Sequence, residues 1–174
     1  MRLMSRAALA LAATLFAAPA LYAQASFSVA AGAAVPMGDF ADGANTGYNV
    51  TAAIGFKPPL APIGLRIDGM FNSLEGKSTG SGTARILAGT ANLTLSGVGT
   101  PIPMGYLIGG LGMYNSSVSG AVVKPPSESD FGFNIGAGIK FPLTGFSTFL
   151  EARLHVVSND AKTKFVPITF GMSF

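Results

Sequence analysis

Two short stretches carry the residue types most able to do chemistry: Arg66-Ile-Asp68 and Glu151-Ala-Arg153-Leu-His155. In an extended chain, residues two apart share a face. Arg66 then projects with Asp68, and Glu151 with Arg153 and His155. Lys140, closing FGFNIGAGIK, falls on the same kind of polar face. Two carboxylates could divide acid and base roles, and a histidine could carry a proton at neutral pH. The surroundings argue against both uses. His155 is the only histidine and the chain has no cysteine, so neither a His-rich nor a thiolate metal site can form. No H-E-x-x-H motif occurs. A Ser–His hydrolase would want a serine beside His155. The next same-face residue is Val157, and Ser158 points the other way. The pattern therefore reads as non-enzymatic. Charges enclosed away from water are costly unless paired, so a self-satisfied ion network is the simplest use for Arg66, Asp68, Lys140, Glu151, Arg153 and His155.

Other motif matches fail on spacing. GKST at 76–79 ends like a phosphate-binding loop, but the required upstream glycine position is occupied by Phe71. GLG at 110–112 lacks a third glycine and a following helix. No cofactor is expected. Asn49-Val-Thr51, Asn92-Leu-Thr94 and Asn115-Ser-Ser117 match the glycosylation acceptor pattern by chance.

The elements that must hold these charges are constrained by composition. Charged residues make up 11% of the chain, against roughly 25% in ordinary soluble domains. Hydrophobic residues reach 49%, yet no later segment is apolar enough for a membrane helix, which needs about 20 residues. The N-terminus, MRLMSRAALALAATLFAAPALYAQA, has basic residues, an apolar core from Ala7 to Ala18, and a closing Ala23-Gln24-Ala25. That is a secretory signal peptide over residues 1–25, cut after Ala23 or Ala25. Without Arg2 and Arg6 the net charge of +3 falls close to neutrality, and no basic patch suggests nucleic acid. The remaining residues 26–174 are one domain by length. A chain poor in charge and without membrane helices fits one architecture, a β-barrel whose outer wall meets lipid.

The alternation supports it. Eight strands read over about 27–35, 47–57, 62–73, 84–96, 103–115, 131–142, 146–158 and 165–174. In the second, Tyr48, Val50, Ala52, Ile54 and Phe56 oppose Asn49, Thr51, Ala53, Gly55 and Lys57. Long and short connections alternate, as in barrels with extended outer loops and tight periplasmic turns. Phe27, Tyr48, Phe56, Phe71, Tyr106, Tyr114, Phe131, Phe133, Phe141, Phe146, Phe165 and Phe174 lie near strand ends, where lipid-facing girdles sit. Phe170 is the exception. The fifth strand, YLIGGLGMY, is apolar on both faces. Girdle positions for Tyr106 and Tyr114 would turn Leu107, Leu111 and Met113 inward, which polarity would not choose, so its phase stays open. The expected fold is an all-β, eight-stranded antiparallel up-and-down transmembrane barrel.

The quoted stretches AAGAAVPMGDFADGANTGYNVTAAIGF, GLRIDGMFN, PMGYLIGGLGMY, FGFNIGAGIKFPL and FLEARLH carry a resemblance. Residues 26–174 resemble the bacterial outer-membrane β-barrel domain family, small barrels akin to OmpX, OmpW and the transmembrane part of OmpA. The terminal FVPITFGMSF resembles the C-terminal signal of outer-membrane proteins, with Phe170, Met172 and Phe174 as its apolar positions. The resemblance implies outer-membrane location, recognition by the barrel-assembly machinery, contact with lipid and lipopolysaccharide, and a monomeric state. The role to expect is structural or surface-interacting, through loops carrying Asp39, Phe40 and Asp42 or Val122, Val123, Lys124, Pro125, Pro126, Glu128 and Asp130. Two other readings are a narrow channel for small solutes and a soluble secreted barrel carrying an apolar ligand.

Overall fold

The strands form because residues alternate between an apolar and a small or polar face, and they close because each such strand needs two neighbours. The computed structural model describes residues 24–58, 61–98, 104–121, 126–159 and 163–174. Its strands are β1 (Gln24–Met37), β2 (Gly47–Lys57), β3 (Ile63–Glu75), β4 (Thr83–Val98), β5 (Met104–Ser119), β6 (Glu128–Pro142), β7 (Ser147–Val157) and β8 (Lys164–Ser173). Each pairs antiparallel with the next, and β8 pairs with β1, giving a closed eight-stranded barrel. The expected leader lies outside the described residues, except that Gln24 and Ala25 already pair with Lys57 and Phe56.

The barrel is inverted relative to a soluble protein. Leu93 and Ile135 are 62% and 61% exposed on the outer wall, whereas Asp68 is 1% exposed and His155 fully buried inside. A continuous apolar exterior of this kind marks an interface with another apolar phase. No helix among the described residues is long and apolar enough to cross a membrane. Outward aromatics gather at two levels. Phe27, Phe56, Phe141 and Phe174 stand exposed at the short-turn end, and Tyr48, Phe131 and Phe133 at the long-loop end. Phe146 stacks on Phe174 at 6.3 Å, and Phe71 packs beside Tyr48 at 6.1 Å.

Three expected girdle residues turn inward instead. Tyr106, Tyr114 and Phe165 are buried in the lumen, and Leu107, Leu111 and Met113 face out. This settles the phase of β5. Its tyrosines face inward because each hydroxyl finds a partner there, which lipid would not supply.

The long-loop end also differs from a row of solvated tips. The β1–β2 connection carries a short helix, α1 (Asp39–Gly43). Phe40 packs against a buried apolar cluster that includes Met70, Leu74, Ile86, Tyr114, Val157 and Phe165. The Lys77 amide donates to the Gly43 carbonyl at 2.9 Å, and the Lys77 ammonium to that of Ala41 at 2.6 Å. These bonds tie α1 to the β3–β4 connection over the barrel mouth. The lumen is thus polar at mid-depth and apolar at its outer end, rather than polar throughout. Val122, Val123, Lys124 and Pro125 lie outside the described residues. Glu128 and Asp130 belong to β6 rather than to a loop.

Candidate functional site

The site is the middle of the lumen. β3 and β7 stand on opposite walls, with three strands between them in either direction. Alternation points Arg66 and Asp68 inward from β3, and Glu151, Arg153 and His155 inward from β7. Their side chains meet across the lumen. The Arg66 guanidinium donates Nε to Asp68 Oδ1 at 2.8 Å and Nη2 to Asp68 Oδ2 at 3.0 Å. It also donates Nη1 to Glu151 Oε2 at 2.7 Å and Nη2 to Glu151 Oε1 at 2.8 Å. Arg153 donates Nη1 to Asp68 Oδ2 at 2.6 Å, and its Nε lies 2.9 Å from Glu151 Oε1. Two cations and two anions therefore close a neutral ring. The Tyr106 hydroxyl adds a donor to Glu151 Oε2 at 2.7 Å.

The ring is nearly dry. The Arg66 side chain is 13% exposed, that of Arg153 is 4%, and that of Asp68 is fully buried. Bidentate guanidinium–carboxylate geometry is the strong form of such a bond. In a water-poor lumen it compensates desolvation only because every member has several partners.

Glycines make room for it. β6 presents Gly132, Gly136 and Gly138 to the lumen. A β-carbon at Gly138 would collide with the Tyr106 ring. One at Gly136 would meet Arg153 Cγ at 2.5 Å, and one at Gly132 would meet the Tyr114 ring at 2.8 Å. The tyrosines of β5 and the arginine of β7 thus lie over a wall with little side chain. On β5, Gly110 lets Asn134 of β6 donate over it to Asn92 Oδ1 of β4 at 2.8 Å. Asn49 donates to Asn72 Oδ1 at 2.7 Å in a similar bridge between β2 and β3.

Two predicted members stand apart from the ring. His155 lies toward the long-loop end, with Nδ1 2.8 Å from the Tyr114 hydroxyl and its ring stacked on Phe165 at 5.0 Å. Lys140 lies toward the short turns and makes no ion pair among the described residues. Phe170, Met172 and Phe174 all face outward on or just beyond β8. Sequence reasoning missed Tyr106 and Tyr114. The signal was available in the glycines of β6, each placed opposite a large inward residue of a neighbouring strand.

Both carboxylates accept from both arginines, and the group beside His155 is the Tyr114 hydroxyl. Among the described residues, no cluster of three or more His, Cys, Asp or Glu side chains could hold a metal.

No protein-family model and no curated protein sequence matches the chain. Solved structures do. Neisserial surface protein A superposes with a TM-score of 0.68 at 15% identity, over 87% of this chain and 97% of that one. The N-terminal β-barrel domain of Pseudomonas aeruginosa OprF gives 0.53 at 17% identity, over 87% and 98%. The Yersinia pestis outer membrane protein Ail, determined in a phospholipid nanodisc, gives 0.52 at 16% identity, over 87% and 100%. The strand count, the inverted burial and these likenesses agree: the chain has the fold of the small bacterial outer-membrane β-barrels.

Proposed function

We propose that the protein is an integral, monomeric barrel of the bacterial outer membrane with a closed lumen, acting structurally or through surface contacts at its long-loop end. The observation that carries this reading is the four-membered ion ring from β3 to β7, enclosed by an exterior of large apolar side chains. The apolar wall fits a lipid solvent. The ring and the apolar cluster above it, capped by Phe40, fit a molecule that passes nothing through its centre. Outer-membrane lipid and lipopolysaccharide are then its permanent neighbours, and the outer surface around α1 and the β3–β4 connection is its contact face. The likeness to a surface protein and to Ail is consistent with such a face. The Phe170, Met172 and Phe174 positions serve as an assembly signal read by the barrel-assembly machinery.

A soluble carrier would need a polar exterior, and Val50, Ile54, Ile67 and Leu93 stand there instead. The channel reading is tested by reconstituting the folded protein in planar bilayers. The closed lumen predicts no unitary currents. Reproducible unitary currents from folded protein would overturn it.

A further inference from the structure

Below the ion ring, toward the short turns, the lumen holds a cavity of ≈ 120 Å³. One water needs only about 10–15 Å³ of such space. Lys57 and Lys140 line it from β2 and β6, with Arg66 at the ring above and Ser26, Thr94 and Ser173 among its walls. The same two lysines, with Ser26 and Ser173, also line a wider space of ≈ 590 Å³ at the short-turn mouth. The inner cavity is therefore reached from that mouth, past both ammonium groups.

The charges do not balance. Arg66 is matched by Asp68 and Glu151. Lys57 and Lys140 have no carboxylate partner in the described structure. The charged side chains that line the cavity with Lys140 are Lys57 and Arg66, both positive. Of the other acidic side chains described, Asp39, Asp42, Glu75, Glu128 and Asp130 all lie at the long-loop end, and the Phe174 carboxylate at the short-turn mouth makes no ion pair with either lysine among the described residues. Both lysines are partly buried, so water relieves their repulsion only in part. Ammonium point charges beside hydroxyl donors are a phosphate-binding combination.

We propose that this cavity binds a small oxyanion of the phosphate class, entering from the short-turn mouth and held between Lys57 and Lys140. A free phosphate and the phosphodiester of a lipid headgroup share that chemistry.

The test uses the folded barrel in a non-ionic glycoside detergent, titrated with inorganic phosphate at constant ionic strength and followed by NMR. Saturable shifts are expected at Lys57 and Lys140. Affinity should fall at least tenfold in Lys57→Gln or Lys140→Gln, vanish in the double variant, and survive in the double Lys→Arg variant. Unchanged heat-modified migration on gels reports that each variant is folded. A second arm compares nanodiscs of phosphatidylglycerol and phosphatidylcholine without added phosphate. Lysine-dependent shifts in either lipid without added phosphate assign the anion to a lipid headgroup, and their absence in both, with saturable phosphate binding, assigns it to a free anion. The proposal is overturned if neither probe gives saturable shifts, if chloride reproduces them, or if they persist in the folded double Gln variant.

Discussion

Asp68 takes hydrogen bonds from both arginines, so its removal leaves two cations sharing the single carboxylate of Glu151 in a dry lumen. Breaking one partner out of a buried ion network costs about 3–5 kcal/mol. Asp68→Asn, nearly isosteric, should lower folded stability by about that much in urea titrations of the refolded barrel. A change below about 1 kcal/mol would mean that the ring is solvated in the membrane, as exposed pairs are. Tyr106 illustrates what a one-dimensional reading could reach. The pairing of Arg66 with Asp68 and of Glu151 with Arg153 on shared faces was legible, because a spacing of two fixes the face. That enclosed charges must pair was legible from their cost, but which of them meet across the lumen was not, since nothing local says β3 and β7 lie opposite. His155 bonds through Nδ1 to Tyr114, a partner that comes from the one strand whose polarity is ambiguous.

At the scale of elements, the inner wall works by complement: where one strand carries bulk, its neighbour carries glycine. Tyr106 is paired in register with Gly138, and a methyl at Gly138 has no space beside the ring. Gly138→Ala should therefore destabilise the barrel by about 1–3 kcal/mol, the usual cost of overpacking. The cost should fall markedly in a Tyr106→Leu background, where the ring is gone. An equal cost in both backgrounds would locate the strain in the backbone instead. The terminal strand makes a second prediction. β8 closes the barrel against β1, and Phe174 exchanges backbone hydrogen bonds with Phe27 at 2.8 and 3.0 Å. Deleting Phe174 should lower the amount of folded protein in outer membranes while leaving the detergent-refolded protein intact. Unchanged folded yield in cells would count against the assembly signal. The strands were legible wherever one face was polar, as in β2, whose bounds coincide with the alternating stretch. β5 was not, because a strand that is apolar on both faces carries no phase. Gly138 opposite Tyr106, and Gly132 beneath the Tyr114 ring, supply the missing information.

For the whole molecule, the governing fact is the exchange of inside and outside. Low charge, alternating strands and the absence of long apolar helices made the barrel legible before its closure was seen. The apolar plug under Phe40 was not legible, because inward Leu74 and Ile86 look in sequence like residues bound for lipid. They are buried because they face inward, in the apolar cluster against which Phe40 of α1 packs. Everything else in the account depends on the outer wall meeting lipid. The most direct measurement is therefore the gel migration, with and without boiling, of the protein from an isolated outer-membrane fraction. A lipid-facing barrel predicts recovery in that fraction and a shifted, usually faster, band in the unboiled sample. Recovery as a soluble periplasmic or secreted protein with no shift would contradict it.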